Sequence, residues 1–357
     1  MSLHGGRVFD LPHPESVLDF SSNINPYGPP RRALAAAEAA LEQVRVYPDP
    51  EQRALRRAAS RWTGLPETML VFGNGASDLL GALMGALGPR RVVLPVPTFG
   101  EYRARADRLG IPVHPVPLEE SREFAPSLET LEETLAPGDL LVLCQPNNPT
   151  GRAWTREELL LLLGVCESRG ARMLLDECFF HLTWPVAFSP ASLPWPEPLT
   201  VLRAFTKDFS APGLRVGMLL GLSDTIRSVR EHLQPWPVNA PGEAFAVVCA
   251  SRPEPFLTRS RQLLAAQRRS LTLGLEDRGF RVLPGAANFL LCRSPLKGED
   301  LEAALRERRI LIRRCGSFGL EDRWVRLAVK DPESHRRLLG ALDEVVYPTD
   351  QRVHSRR

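Results

Sequence analysis

Lys207 and Arg215 are the residues of this 357-residue chain whose types and spacing first suggest chemistry. They lie in the stretch "AFTKDFSAPGLRVG", where the lysine follows an apolar, strand-like run and the arginine follows a Pro-Gly turn. A lysine that loses part of its hydration has a lowered pKa and can act as an amine nucleophile. An arginine offers a planar fork that suits a phosphate group. Most lysines and arginines are solvated surface charges, however, so this stretch alone leaves both interpretations open.

A second candidate is the glycine-bracketed turn "FGNGASDLL", which opens a predicted helix. The free backbone N–H groups of Gly75, Ala76 and Ser77 and the helix dipole would suit a phosphate. The alternative is an ordinary helix start that is capped by Ser77 or Asn74.

Two further polar groups follow predicted strands. In "QPNNPTG" a tight turn can project the Asn148 side chain into a cleft, although an ordinary turn has the same composition. In "LLDE" the carboxylate of Asp176 ends a buried strand, which is costly unless a positive group pairs with it. The alternative for Asp176 is a cap on the next helix.

The elements that must position these residues alternate between short apolar strands and helices from Leu70 onward. Continuous apolar strands separated by helices predict an α/β fold with a mostly parallel sheet sandwiched by helices. Ligands of such sheets bind outside the carboxyl ends of the strands, which is where the polar residues above occur.

The chain divides into three predicted parts. Residues 1–30 form an N-terminal arm, and residues 31–245 form the large domain. A proline-rich break near "QPWPVNAPGE" leads into residues 246–357, which are predicted to form a small α+β domain.

Composition excludes several classes of function. A net charge of +3, from 45 basic and 42 acidic residues, argues against nucleic acid or a membrane surface as a partner. The six cysteines form no CxxC pair and several lie in apolar runs, so we expect buried thiols and no metal site. Without an evident signal peptide or an apolar run of about 20 residues, the expected location is the cytoplasm.

Together, and in this order along the chain, these motifs are the set that a pyridoxal 5′-phosphate (PLP) site requires. Lys207 would form a Schiff base with the cofactor, and Asp176 would keep the pyridine nitrogen protonated so that the ring acts as an electron sink. Asn148 would bond the phenolic oxygen of the ring, and Phe99, in "PTFGEY", would stack on its face. The phosphate would be held by the remaining predicted residues: Gly75, Ala76, Ser77, Thr206 and Arg215.

With "GNGASD", "PTFGEY", "PNNPTG", "DE" and "TK…PGLRVG" in this order, nearly the whole chain resembles the fold-type I PLP enzymes of the class I/II aminotransferase superfamily. The resemblance implies a large PLP-binding domain, a small C-terminal domain and a homodimer. It also implies that Tyr47, in the "YP" element, reaches the PLP phosphate of the neighbouring subunit.

Two subfamilies share this core, and the N-terminal "HGG" and "DFSSNINPYG" resemble threonine-phosphate decarboxylases rather than histidinol-phosphate aminotransferases. Phe179 favours the decarboxylases too, because the aminotransferases commonly carry a tyrosine there. The resemblance implies decarboxylation of O-phospho-L-threonine in cobalamin biosynthesis, with transamination of histidinol phosphate or another amino acid as the alternative. It assigns the binding of this small phosphorylated substrate to His4, Asn23, Arg313 and Arg326, so that the N-terminal arm of residues 1–30 contributes to the substrate site.

The chain departs from its relatives beside the lysine. Ala204 replaces a common serine, which removes one phosphate hydrogen bond, and Asp208 adds a charge that either tunes the pKa of Lys207 or faces solvent. Two other classes remain as alternatives: a non-catalytic domain that keeps PLP as a structural ligand, and a Rossmann dehydrogenase. The complete Asp176–Lys207–Arg215 set argues against the first, and the absence of GxGxxG after an early strand argues against the second.

Overall fold

A computed structural model describes residues 5–347 of the chain. The strands are β1 Leu18–Asp19, β2 Leu70–Asn74, β3 Arg91–Val96, β4 Val113–Pro117, β5 Asp139–Cys144, β6 Arg172–Asp176, β7 Leu199–Ala204, β8 Val216–Leu220, β9 Arg281–Val282, β10 Phe289–Arg293, β11 Ile310–Leu311, β12 Arg313–Arg314 and β13 Trp324–Ala328. The helices are α1 Arg31–Ala39, α2 Arg53–Thr63, α3 Ala76–Leu87, α4 Glu101–Arg108, α5 Leu128–Thr134, α6 Arg156–Arg169, α7 Phe205–Asp208, α8 Ser223–Glu231, α9 Ala240–Ser251, α10 Glu254–Glu276, α11 Gly298–Glu307 and α12 Pro332–Val346.

Seven strands form the large sheet, in the order β2-β8-β7-β6-β5-β3-β4. The strands from β7 to β4 are parallel, whereas β8 runs antiparallel to both β7 and β2. Because β8 runs backwards, its first residues lie beside the last residues of β7 and β2: Gly217 pairs with Ala204 and Val216 with Asn74. The predicted α/β class with a mostly parallel sheet is therefore confirmed.

Helices cover both faces of this sheet, as the apolar strands require. On one face α3, α4 and α8 pack against a core that includes Leu83 and Val229. On the other face α2, α5, α6 and α9 pack against a second core that includes Leu55 and Phe245. Helix α6 begins at a capping box in which Thr155 and Glu158 bond each other's backbone N–H groups, and Gly170 ends it with a positive φ.

The C-terminal part forms a second, antiparallel sheet in the order β12-β13-β10-β9, packed against α10, α11 and α12. The N-terminal arm joins this part through β1, which pairs in parallel with β11, and the buried Phe20 belongs to the same core. Helix α9 is continuous across residues 245 and 246 and packs on α1 and α2. A domain boundary there would divide this helix, and the three-part division stays a prediction.

Two other expectations concern the chain as a whole. All six cysteines are free and buried, in line with the prediction of buried thiols. Within residues 5–347, no helix combines the length and the apolar character that crossing a membrane would need.

Candidate functional site

A cavity of about 360 Å³ opens where β5, β6 and β7 end. The small domain and the N-terminal arm close it, since residues of β12, β13 and the segment after β1 also line it. It brings together most of the residues predicted from sequence: Asn23, Ala76, Ser77, Phe99, Asn148, Asp176, Thr206, Lys207, Arg215, Arg313 and Arg326. The antiparallel direction of β8 explains how Arg215, which precedes that strand, reaches the same edge as Lys207, which follows β7.

Asp176 lies at the end of β6 and is 5% exposed. Its Oδ2 accepts a hydrogen bond from the Tyr102 hydroxyl at 2.7 Å, and its Oδ1 accepts one from the Cys178 N–H at 2.9 Å. Burial raises the pKa of Asp176, and these hydrogen bonds oppose that rise. Burial followed by the Asp176 charge raises the pKa of Tyr102 well above its ordinary value, so this hydroxyl remains a proton donor. A cationic ring nitrogen would supply the positive partner that the buried carboxylate requires.

Tyr102 was missed by the sequence reasoning. It stands three residues after Phe99 in the same "PTFGEY" motif, and the two rings meet edge to face with centroids 5.6 Å apart. The spacing of three residues was the available signal, because it places two side chains on one side of a helix start.

Lys207 lies on the short helix α7, directly after β7. The half-buried side chain points into the cavity, and its burial there lowers its pKa to about 8, with help from the positive charges of Arg326 and Arg215. Near neutral pH a useful fraction of this amine is therefore uncharged, which a nucleophile requires.

The predicted phosphate cradle is formed by the start of α3 and by Arg215. Gly75 caps the helix with φ +80°, and a Cβ there would lie 2.4 Å from Nη2 of Arg215. Only glycine lets the guanidinium lie this close to the turn, where its Nη2 is 3.5 Å from the carbonyl oxygen of Asn74. The free N–H groups of the first turn and the guanidinium then face the same space, which fits the phosphate of PLP.

The asparagine turn is held in place by its first member, Asn147. Its Oδ1 accepts a hydrogen bond from the Thr98 hydroxyl at 2.8 Å, and its Nδ2 donates to the Pro97 carbonyl at 3.0 Å. Asn148 itself lines the cavity, where its Oδ1 accepts a hydrogen bond from Nη1 of Arg326 at 2.6 Å. The residue predicted to bond the ring is thus tied to a residue predicted to bind substrate.

Arg313 and Arg326 are direct cross-strand partners on β12 and β13, and both are buried. Directly opposite side chains on one face of a sheet are close neighbours, so two like charges are held together. Burial, together with the Arg313 charge, lowers the pKa of Arg326 to about 10, while Cys315 and Asp19 oppose this shift. Such a pair on a cavity wall is suited to anionic groups of a ligand.

The N-terminal arm forms part of the cavity wall. The carbonyl oxygen of Ser21 accepts a hydrogen bond from Nη2 of Arg326 at 2.5 Å, and a Cβ at Gly5 would lie 2.3 Å from the same oxygen. Asn23 is buried, and its Oδ1 has no hydrogen-bond partner within residues 5–347. The predicted contact at His4 lies outside the described residues.

The two departures beside Lys207 have clear positions. Ala204 lines the cavity without offering a hydroxyl. Asp208 is 1% exposed, which rules out the solvent-facing alternative, and its Oδ2 lies 2.8 Å from Nδ1 of His181. Phe179 also lines the cavity and packs edge-on against Phe289 at 5.2 Å.

Tyr47 does not line the cavity of its own chain. Its side chain is 76% exposed and stacks on Trp236 with ring centroids 4.2 Å apart. Several neighbouring apolar side chains are exposed too: Leu41, Val44 and Val46. The predicted contact of Tyr47 with the cofactor therefore requires a second subunit, and it stays a prediction.

Known proteins resemble this chain over most of its length. The family described as aminotransferase class I and II matches residues 15–342. The threonine-phosphate decarboxylase of Salmonella typhimurium is 32% identical over 97% of both chains, and histidinol-phosphate aminotransferase 1 of Bradyrhizobium diazoefficiens is 31% identical over 94% of this chain and 95% of its own.

Solved structures give the same picture of the fold. The histidinol-phosphate aminotransferase from Clostridium acetobutylicum superposes with a TM-score of 0.86 at 29% identity, over 92% of this chain and 99% of its own. The L-threonine-O-3-phosphate decarboxylase from Porphyromonas gingivalis superposes with a TM-score of 0.80 at 24% identity, over 91% of this chain and 98% of its own. At that identity the second likeness concerns the fold alone.

Proposed function

The chain belongs to the aminotransferase class I and II family, whose members depend on PLP, and on that premise we propose that it decarboxylates O-phospho-L-threonine to (R)-1-amino-2-propanol O-phosphate. This is the reaction that the resemblance implies for cobalamin biosynthesis. The observation that carries the proposal is the buried arginine pair on the cavity wall, Arg313 and Arg326.

The charges in the cavity support a substrate with two anionic groups. Among the described residues that line it, four are basic, namely Lys207, Arg215, Arg313 and Arg326, and one is acidic, Asp176. A phosphate carries about −1.5 to −2 charge at pH 7. With Arg215 on the phosphate of PLP and Asp176 on its ring nitrogen, the Arg313–Arg326 pair remains for the phosphate and the carboxylate of the substrate. O-phospho-L-threonine has both groups in one molecule, whereas histidinol phosphate has no carboxylate and its transamination would use these arginines for the carboxylates of 2-oxoglutarate.

When bound, PLP supplies an electron sink for the bond that breaks at the substrate Cα. The residues of the chain orient the substrate and hold the protons. Asp176 would hold the proton on the ring nitrogen. Arg313 would hold the substrate phosphate and Arg326 would orient the carboxylate, so that the Cα–carboxylate bond is the one that breaks and CO₂ leaves. Lys207, with its pKa lowered to about 8, holds the proton that replaces the carboxylate at Cα.

Transamination of histidinol phosphate remains the second candidate, since relatives with that name are about as similar to this chain as the decarboxylases are. Phe179 supports the decarboxylase, because a phenylalanine at this part of the cavity wall offers no hydroxyl to the ring oxygen of the cofactor. The two reactions require different bonds at Cα to be aligned for cleavage, so the placement of the substrate carboxylate decides between them.

The decisive experiment incubates the purified PLP-loaded protein with O-phospho-L-threonine and measures released CO₂ and the amine product. We expect stoichiometric CO₂ and amino-propanol phosphate without any added keto acid. A parallel reaction contains histidinol phosphate and 2-oxoglutarate. Turnover in the second reaction together with no CO₂ in the first would show that the chain is an aminotransferase.

We further propose a homodimer in which Tyr47 completes the cofactor site of the partner subunit. The exposed Tyr47–Trp236 stack supports this arrangement, because a large exposed apolar surface typically marks an interface. The test mixes two inactive variants, Lys207→Ala and Tyr47→Ala. If Tyr47 acts across the interface, each mixed dimer contains one intact site and activity returns. If Tyr47 acts within its own chain, both sites stay defective and no activity returns.

A further inference from the structure

The two residues that follow Asp176 and Lys207 in the chain are buried carboxylates that the cofactor site does not use. Asp176 and Lys207 line the cavity, whereas Glu177 and Asp208 do not, although they are 0% and 1% exposed. A buried carboxylate is costly without a partner, so this pair requires an explanation.

Glu177 and Asp208 belong to one buried cluster with Arg203 and His181. Oε2 of Glu177 accepts hydrogen bonds from Nε and Nη2 of Arg203 at 2.8 and 2.7 Å. Oδ2 of Asp208 lies 2.8 Å from Nδ1 of His181. Burial raises the pKa of Asp208, while the charges of His181 and Arg203 lower it, so the two pairs act on each other.

Aromatic rings enclose the cluster. The ring of Trp62 lies 5.0 Å from that of His181, and the Arg203 guanidinium lies 5.5 Å from the centroid of Phe180. The remaining charges near His181 are on α10, where Arg261 donates to the His181 carbonyl at 3.4 Å and pairs with Glu254 at 2.9 Å.

His181 is the side-chain partner of Asp208 in this cluster. Glu177 and Arg203 bond each other, which leaves the Asp208 carboxylate with His181. In the part of the chain that the structure describes, Oδ1 of Asp208 has no hydrogen-bond partner. His181 is therefore the contact that compensates this carboxylate.

The backbone of the lysine turn is held from a second direction. The Asn25 N–H donates to the Lys207 carbonyl at 3.2 Å, and its Nδ2 donates to the Asp208 carbonyl at 3.0 Å and to Oγ of Ser260 at 2.9 Å. The turn that carries Lys207 is thus fixed at two carbonyl groups by the N-terminal arm and at one carboxylate by His181.

We propose that Asp208 and His181 are positioning residues that hold Lys207 in place at the cofactor from outside the cavity. The carboxylate of Asp208 anchors the end of α7, and His181, packed against Trp62, fixes that carboxylate relative to the large-domain core. The proposal rests on the role proposed above for Lys207 as the residue that bonds PLP, but it does not depend on which substrate the protein accepts.

The test uses the purified full-length holoprotein with three variants: Asp208→Ala, Asp208→Asn and His181→Ala. The readouts are the dissociation constant for PLP and the pH midpoint of the absorbance of the bound cofactor. We expect Asp208→Ala and His181→Ala to weaken PLP binding by about 10-fold or more and to move the midpoint, because Lys207 loses its fixed position. Asp208→Asn keeps the hydrogen bond from His181, so its affinity should stay within about threefold of the wild type.

Asp139→Asn serves as the control. It changes a buried carboxylate that pairs with Arg91 at the opposite end of the same sheet, and unfolding temperatures are measured for every variant. We expect this variant to lose stability while its PLP affinity and its pH midpoint stay at wild-type values. An equal shift in Asp139→Asn would mean that the effect is general destabilisation and would overturn the proposal.

Two further outcomes would also contradict it: wild-type PLP affinity and midpoint in Asp208→Ala, or fully additive losses in the double variant Asp208→Ala/His181→Ala, since partners in one bond should not act independently. If Asp208→Ala does not fold, His181→Ala carries the same test from the other side of the bond. Both readouts need no substrate. A failure of the proposed decarboxylation, seen as no CO₂, is therefore distinct from a failure of this proposal.

Discussion

The two ends of the large sheet differ in how completely the buried polar groups around them are paired. At the amino end of β5, Asp139 is fully paired: Arg91 donates from Nε to both carboxylate oxygens at 3.0 Å and from Nη2 to Oδ2 at 2.9 Å. The Ala136 N–H adds a further hydrogen bond to Oδ2 at 2.9 Å. Both oxygens of this carboxylate therefore have partners.

Around the cavity at the carboxyl end, two buried polar atoms lack such partners, and they belong to the N-terminal arm and to β13. Oδ1 of Asn23 and Nε of Arg326 have no hydrogen-bond partner within the described residues, and loss of hydration lowers the pKa values of Lys207 and Arg326. Native proteins pair most buried polar groups, so unpaired ones that collect on one cavity wall point to a ligand. The large sheet has a closed ion pair at its amino end, whereas at its carboxyl end the N-terminal arm and the second sheet add unpaired polar atoms that can bind a ligand.

The largest expected effect comes from removing the amine at the carboxyl end. Lys207→Ala should reduce turnover by about 10⁴-fold, because no other lysine lines the cavity in the part of the chain that the structure describes. The unfolding temperature of the cofactor-free protein should not fall, since a buried charge is removed. Steady-state assays and thermal unfolding measure the two quantities. Retained turnover would contradict the proposal that the reaction depends on the amine at the carboxyl end of the sheet.

Asp139→Ala, at the amino end of the sheet, should reduce stability and leave turnover nearly unchanged. It leaves the partly exposed Arg91 guanidinium and the Ala136 N–H without their acceptor, which should lower the free energy of unfolding by about 3 kcal/mol. At a temperature where the variant stays folded, kcat should change by no more than about twofold, because the pair lies far from the reacting atoms. Chemical denaturation and turnover assays check this. A large loss of kcat in folded protein would contradict the comparison.

The lowered pKa of Lys207 predicts a pH dependence of stability in the cofactor-free protein. The folded-state pKa of about 8 lies below the ordinary 10.5, so below pH 8 the folded protein carries a buried charge at a cost of about 3 kcal/mol. Between pH 8 and about 10.5 the unfolded chain binds more protons than the folded one, and stability should therefore rise with pH. The difference in unfolding free energy between wild type and Lys207→Met isolates this contribution, and a flat difference would argue against burial of the amine.

The smallest effect is expected at the substrate arginines. Arg326→Lys keeps the charge but loses the fork that bonds Asn148 and the Ser21 carbonyl, so the KM for O-phospho-L-threonine should rise by about 10- to 100-fold. The affinity for PLP should change little, because Arg215 holds its phosphate. The matched control is Arg314→Lys. Arg314 is next to Arg313 on β12 and pairs with Asp322 outside the cavity, so this variant should leave KM unchanged. Equal effects in both variants would make the role of Arg326 structural.

Much of the site was predictable because its motifs are local. The strand, turn and helix start around Gly75 and the strand ends at Asp176 and Lys207 depend on residues that are close in the chain, and the structure has strands and helices at these places. The resemblance also pointed correctly to the α/β fold and to PLP. Tyr102, Asn25 and His181 were missed, because each acts through a partner that is distant in sequence: Tyr102 and Asp176 are 74 residues apart.

The sequence by itself determined the order of the elements and the types of chemistry available, because apolar periodicity and turn residues act over a few positions. The tertiary structure decided which charges meet. The register of β12 against β13 sets Arg313 opposite Arg326, and the burial of Asp208 beside His181 turns an unusual charge into part of a closed pair. The physical reason is that pairing and desolvation depend on contacts between distant segments, which the local pattern of side chains does not specify.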